Sequence, residues 1–162
     1  MNQISKKATI GDNFKIGHFC IIEDDVFIGD NVTIENYVLI KKGTIISNNC
    51  FIDSYVRSSG QNFIGENCTI RYGATIAKDV AVGDNVFISP NVMTIYSDPD
   101  GKHTKKTLIN KGAFIGTAAV INSGITIANN VIIGAMSYVN KDCDNIGGIY
   151  VGQPIKYVGQ RK

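Results

Sequence analysis

Tryptophan is absent from the 162-residue chain, proline occurs three times and histidine twice. No apolar run is long enough to cross a membrane. The opening Met-Asn-Gln-Ile-Ser-Lys-Lys lacks the apolar segment of a secretory leader. A soluble, cytoplasmic protein is expected. The formal net charge is only +2, with no basic stripe interleaved with aromatics, which argues against nucleic acid as a partner. Four cysteines, Cys20, Cys50, Cys68 and Cys143, show no C-x-x-C spacing and indicate neither a zinc site nor a redox pair. The length fits one domain.

What the chain does have is a six-residue repeat. Every sixth residue from Ile10 to Ile88 is Ile, Val or, once, Ser (Ser58). The beat restarts at Ile109 and continues through Ile115, Ile121, Ile127 and Ile133 to Val139. Four residues after each comes a second series, mostly small or β-branched, as in Val26, Val32, Val38, Thr44 and Cys50. A period of six is incompatible with a helix. In a short strand such as Val26-Phe27-Ile28 the outer two side chains share one face and the middle one points away. Both series therefore line an interior, and three strands per turn would close a triangular prism. Twenty repeats give six to seven coils, a prism roughly 30 Å long at ~4.8 Å per coil.

Between strands stand Gly-Asp-Asn (11–13, 29–31, 83–85) and Gly-Glu-Asn (65–67), residue types that accept the left-handed angles of tight corners. All four cysteines fall in the inward i+4 slot and are expected as buried free thiols, which implies a reducing compartment. Outward residues sort into columns spaced by 18. One holds Phe27, Ile45, Phe63 and Ala81, a second Lys15, Thr33, Phe51, Thr69 and Phe87, and a third Ile21, Leu39, Arg57, Thr75 and Met93. The first column is the expected subunit interface. At 58–62, Ser58 and Asn62 put polar groups into inward slots, where they need partners. A loosened corner or loop is expected there.

These hexads resemble the hexapeptide-repeat acyltransferases from about residue 10 to 158. The resemblance implies an all-β, left-handed parallel β-helix, the hand coming from the family because ordinary crossovers are right-handed. It also implies a homotrimer with active sites at subunit boundaries, and acetyl-coenzyme A as co-substrate. Residues 1–162 then form a single domain, with an extruded loop at 97–108 and a short tail at 146–162. The zinc carbonic anhydrases of this fold require three histidine ligands, one more than the chain contains, so no metal is expected.

Within the family the chain is closest in appearance to the N-acetyltransferases of nucleotide-linked amino sugars. Ile16-Gly17-His18-Phe19 is similar to that branch's Ile-Trp-His-Phe, with Gly for Trp. Ser89-Pro90-Asn91-Val92 followed by Asp98 is similar to its Gly-Pro-Asn-Val with a downstream Asn-Asp. Many O-acetyltransferases of the family place a Thr-His-Pro-like segment, containing the general base, where this loop has Ser97-Asp98-Pro99. The loop histidine, His103, lies five residues later. A hydroxyl acceptor needs a base titrating near the working pH, for which an ordinary Asp is too acidic. A neutral amine is already nucleophilic and needs mainly positioning.

Asn91 and Asp98 are therefore candidates for holding an amine, and His103 for a base or proton shuttle. His18, Asp53, Tyr55 and Arg57 are candidates for the acceptor side. Gly116-Thr117-Ala118 and Gly134-Ala135-Met136 resemble the small-residue coils along which pantetheine runs, where backbone N–H groups can bond the thioester oxygen. Lys141, Lys156, Arg161 and Lys162 are candidates for the coenzyme phosphates, and Gly152-Gln153-Pro154-Ile155-Lys156 resembles the family's closing Gly-x-Pro-Ala-Lys. Two alternatives stay open: an O-acetyltransferase of a sugar, amino acid or glycan with His103 as base, and a non-catalytic scaffold.

Overall fold

A computed structural model describes residues 1–103 and 105–161, and within them short strands, most of two residues, stack into three parallel sheets. The first sheet runs from Gln3–Ile4 through Ile21–Ile22 and Leu39–Ile40 to Tyr138–Val139. The second runs from Thr9–Ile10 to Thr126–Ile127. The third runs from Lys15–Ile16 through Ile132–Ile133 to Gly148–Val151. Partners lie 18 residues apart, Phe27 beside Ile45, Ile45 beside Phe63 and Phe63 beside Ala81, so the columns read from the sequence are the outer faces of the three sheets. Leu108 extends the Phe27 column, pairing with Ala81. This all-β triangular solenoid agrees with the expected left-handed β-helix.

The solenoid is longer than expected. Its first sheet holds eight strands, giving about eight coils in place of six to seven. Ile4 keeps the beat one repeat before Ile10, and Gly148–Val151 adds a rung after Val139. Thr94 also keeps time, buried six residues after Ile88, and its hydroxyl accepts the Ala77 N–H at 2.7 Å. The loop accordingly spans 95–106, and Thr107 and Leu108, expected within it, belong to a strand paired with Val80–Val82. The expected tail is a hairpin in which Lys156–Gln160 runs antiparallel to Gly148–Val151 and Ile155 is buried. Lys162 lies outside the described residues.

Corner chemistry is divided between two residue types. Asn31 adopts a φ of 56°, whereas Gly29 is there for closeness: a Cβ on it would sit 2.3 Å from the Asn48 side-chain oxygen. The four cysteines are buried and unpaired. Three of them donate S–H to a carbonyl of the next corner, Cys20 to Glu35 at 2.9 Å, Cys50 to Gly65 at 3.1 Å and Cys68 to Gly83 at 3.0 Å. Burial, with Asp144 and Asp142 nearby, pushes the Cys143 thiol up to about 12, so it stays protonated and inert at neutral pH.

The coil at 58–62 is regular, contrary to the expected loosening. Arg57–Ser58 and Phe63–Ile64 both hold their places in the sheets. Ser58 Oγ donates to Asn62 Oδ1 at 2.7 Å, and the Asn62 amide donates to the Ala77 carbonyl at 2.5 Å. Thr44 Oγ1 lies 2.6 Å from Ser58 Oγ. A polar interior satisfied by its own partners needs no water and no loosened chain.

Candidate active site

The proposed site residues distribute over two edges of the prism. The edge between the third and first sheets carries His18, Asp53, Tyr55, Asn91 and both small-residue triplets, 116–118 and 134–136. Across the first sheet, the opposite edge carries the loop with Asp98 and His103, and also Lys141. Arg57 projects from the sheet between them, beside Leu39 and Thr75. Lys156 is exposed on the C-terminal hairpin. A single chain therefore assembles Asn91 with the triplets but does not bring them to Asp98 and His103.

Along the first edge, Asn91, Ala118 and Met136 occupy one corner position in successive coils, with φ of 57°, 56° and 56°. The amides of the preceding residues differ in their partners. At several corners such an N–H donates to the side chain 18 residues later, as Asp12 does to Asp30 and His18 to Asn36. For Thr117 that residue is Ala135, which offers no acceptor, and among the described residues its N–H has no partner. A small side chain thus leaves a backbone donor open at the place where the sequence reading set the thioester.

The acceptor candidates are more strongly committed to structure. The Asp53 carboxylate takes Arg71 Nε at 2.9 Å and its neighbour's Ser54 N–H at 2.7 Å. Tyr55 stacks on Tyr37 at 5.0 Å and tilts against Tyr72 at 5.3 Å, in a row that begins with Phe19. His18 is exposed beside Phe19.

On the loop, Asp98 works as a turn former. Its Oδ1 accepts the Asp100 and Lys102 N–H groups at 3.0 and 2.8 Å, the local bonding that makes Asp a turn starter. His103 is clamped at both ring nitrogens, Nδ1 lying 2.7 Å from the Tyr96 carbonyl and Nε2 3.1 Å from Asp79 Oδ2. Both facing atoms are acceptors, so each ring nitrogen is turned toward a fixed partner of the loop or its base. The ring also stacks on Tyr96 at 4.3 Å, and Lys106 reaches the second oxygen of Asp79 at 3.1 Å. Asp79, Tyr96 and Lys106, which the sequence reading did not single out, anchor the loop together with His103. Among the described residues no group of three or more metal-ligating side chains gathers.

Burial alone would raise the Asp79 carboxyl. Hydrogen bonds from His103 and Lys106, with their charges, outweigh it and hold the group below its usual range. A depressed folded-state value means that the anchoring is present above the ordinary carboxyl pKa and lost as pH falls through the folded one. Amide protection across 95–106, corrected for intrinsic rate, should therefore drop below about pH 4 while the coils stay protected. Asp79→Asn should show the same loss, roughly tenfold, at neutral pH. Unchanged protection in the variant would refute the clamp.

The family described as GMPPB C-terminal domain matches residues 3–97, more than half of the chain, and the one described as Hexapeptide repeat of succinyl-transferase matches residues 107–141. The chain belongs to the family of the GMPPB C-terminal domain, and its residues 107–141 carry the hexapeptide repeat. A galactoside O-acetyltransferase from Escherichia coli (strain K12) is 38% identical over 82 residues, 44% of this chain and 40% of that protein. The chain thus spans well under half the length of that relative. Among solved structures, LpxA from Bacteroides fragilis 9343, a UDP-N-acetylglucosamine acyltransferase, overlays at a TM-score of 0.73 and 24% identity, over 98% of this chain and 72% of that one. A variant of AntD, an N-acyltransferase from Bacillus cereus in complex with dTDP and coenzyme A, overlays at a TM-score of 0.61 and 21% identity, over 95% and 83% of the two chains.

Proposed function

We propose that the chain is an acetyl-coenzyme A-dependent acetyltransferase that acts, as a homotrimer, on the amino group of a nucleotide-linked amino sugar. The acyltransferase activity is supported by the galactoside O-acetyltransferase relative and by the open Thr117 N–H beside small residues. The observation that favours an amine is the clamping of His103. Both of its nitrogens face acceptors, so neither lone pair is free to take a proton from a hydroxyl. The neutral amine attacks the thioester carbonyl carbon, the oxyanion that forms accepts the Thr117 N–H, the C–S bond breaks, and the thiolate leaves and takes up the proton that the attacking nitrogen sheds in becoming the amide. Asn91, one coil from Ala118, is the residue we assign to hold the incoming amine. Assembly of Asn91 with a neighbouring subunit's loop would unite the two edges that one chain keeps apart.

A second reading, O-acetylation of a sugar hydroxyl, is favoured by the galactoside O-acetyltransferase relative. Free-thiol release from acetyl-coenzyme A, measured with UDP- and dTDP-linked 3- and 4-amino sugars against hydroxyl acceptors, separates the two when run on His103→Ala as well. The amine reading expects amine-dependent turnover and less than a tenfold loss of kcat in the variant, against the 10²–10⁴-fold associated with loss of a general base. Turnover with hydroxyl acceptors alone, abolished in His103→Ala, would replace it with the second reading.

A further inference from the structure

Just below the foot of the loop, the edge between the first and second sheets opens into a groove of about 390 Å³. Its origin is local. On the neighbouring edge, side chains stack coil upon coil and fill the corner, Asn13 on Asn31 at 3.1 Å and Asn31 on Asn49 at 3.2 Å. Here Gly43, with φ of 71°, stands in the stacking position and Gly60, with φ of 102°, lies beside it on the next coil. Neither has a side chain to close the corner.

The groove is lined by Lys41, Lys42 and Lys78 and by the carboxylates of Glu23 and Asp25, with the Ser59 hydroxyl and the Gln61 amide among them. Lys42 is neutralised by Asp25 at 3.1 Å. Among the described residues Lys41 and Lys78 form no ion pair. Glu23, whose Oε2 accepts the Lys42 N–H at 2.9 Å, is the one other carboxylate in the lining. Three ammonium groups against two carboxylates leave the cleft net positive, with Lys41 and Lys78 facing it from coils two apart. Lys78 also touches the loop, its ammonium lying 5.8 Å from the centre of the Tyr96 ring. Its neighbour Asp79 holds His103 and Lys106. Two like charges converging on a cleft of ligand-binding size are complementary to a compact dianion, since ammonium groups on separate stems serve phosphate oxygens as point charges.

We propose that this groove is a diphosphate-binding site, and that it takes the diphosphate joining nucleoside to sugar in the acceptor. Naming the acceptor rests on the function proposed above, whereas the anion site rests on the groove itself. Coenzyme A carries the same diphosphate chemistry, so the test must separate the two sources.

Titration calorimetry would measure inorganic diphosphate, UDP, dTDP and coenzyme A against the full chain, Lys41→Gln, Lys78→Gln and the double variant. The expected result is binding of inorganic diphosphate and the nucleoside diphosphates that weakens roughly tenfold for each lysine lost and falls between 50 and 200 mM salt, about the range over which screening of exposed charge grows. Coenzyme A affinity and melting temperature should not change. Binding unaltered in the double variant, no binding of diphosphates to the unmodified chain, or a loss confined to coenzyme A would each overturn the proposal. Diphosphate binding that depends on both lysines, in a protein that acetylates no amino sugar, would leave the groove standing and remove only the amine acceptor.

Discussion

Asn62→Ala should destabilise the protein by roughly 3 kcal/mol, a fall in melting temperature of roughly 6–12 °C for a chain of this size. Asn62 is the hub of the interior polar coil. Its Oδ1 accepts from Ser58 Oγ at 2.7 Å and from the Gly60 N–H at 3.2 Å, while its amide donates to the carbonyls of Ala77 at 2.5 Å and Val80 at 3.4 Å. Truncation leaves the Gly60 N–H and Ala77 C=O without partners at a buried site and opens a void beside them. Ser58→Ala is the informative comparison. It removes one donor to an oxygen that still receives the Gly60 N–H, so about 1 kcal/mol is expected. Thermal and denaturant unfolding would check both. A cost for Asn62→Ala no larger than that for Ser58→Ala would show that the network contributes little.

Because each coil touches only its neighbours, stability in a solenoid is shared between adjacent rungs. The Asn62 deficit should therefore appear first as lost amide protection in the coils around 44–80, ahead of the terminal coils. That expectation follows from the way the polar side chains cross between rungs, Thr44 to Ser58 within one turn and Asn62 to Ala77 and Val80 in the next.

The interior was legible from sequence because a prism filled by one side chain per strand imposes a hard steric rule at every sixth residue. Ile22, Ile28, Ile34 and their successors are all buried as that rule requires. It failed where polar atoms solve the same packing problem by hydrogen bonding. Thr94 falls outside a series read from Ile and Val, and Ser58 and Asn62 read as a loosened corner. The C-terminal hairpin was hidden for another reason: Lys156–Gln160 lies mostly in solvent and carries no alternation to read. In the site, the small triplets could be placed because size is a property of residue type. The clamp on His103 could not. Asp79 is 24 residues away from it, at a left-handed corner where Asp is explained by its backbone angle alone, and only the return of the loop brings the two together.

Ala135→Asn should reduce kcat for acetyl transfer by roughly 10²–10³-fold while leaving the fold as stable as before, or more so. The bonding at the Asn and Asp corners is the reason. An Asn or Asp side chain 18 residues later can accept the corner N–H, as Asn36 Oδ1 does from His18 at 2.8 Å and Asn48 Oδ1 from Asp30 at 2.8 Å. Asn at 135 would capture the Thr117 N–H in the same way and withhold it from the thioester oxygen, where its bond strengthens as negative charge develops. Ala135→Ser, shorter by one heavy atom, should cost less, and Ala135→Gly, which adds no acceptor, should remain near the unmodified rate. Most mutations that disable an enzyme through its fold lower both activity and melting temperature, whereas here the two should move independently. Steady-state kinetics with calorimetric melting distinguishes these cases: full activity in Ala135→Asn would mean that the Thr117 amide plays no part in the transfer.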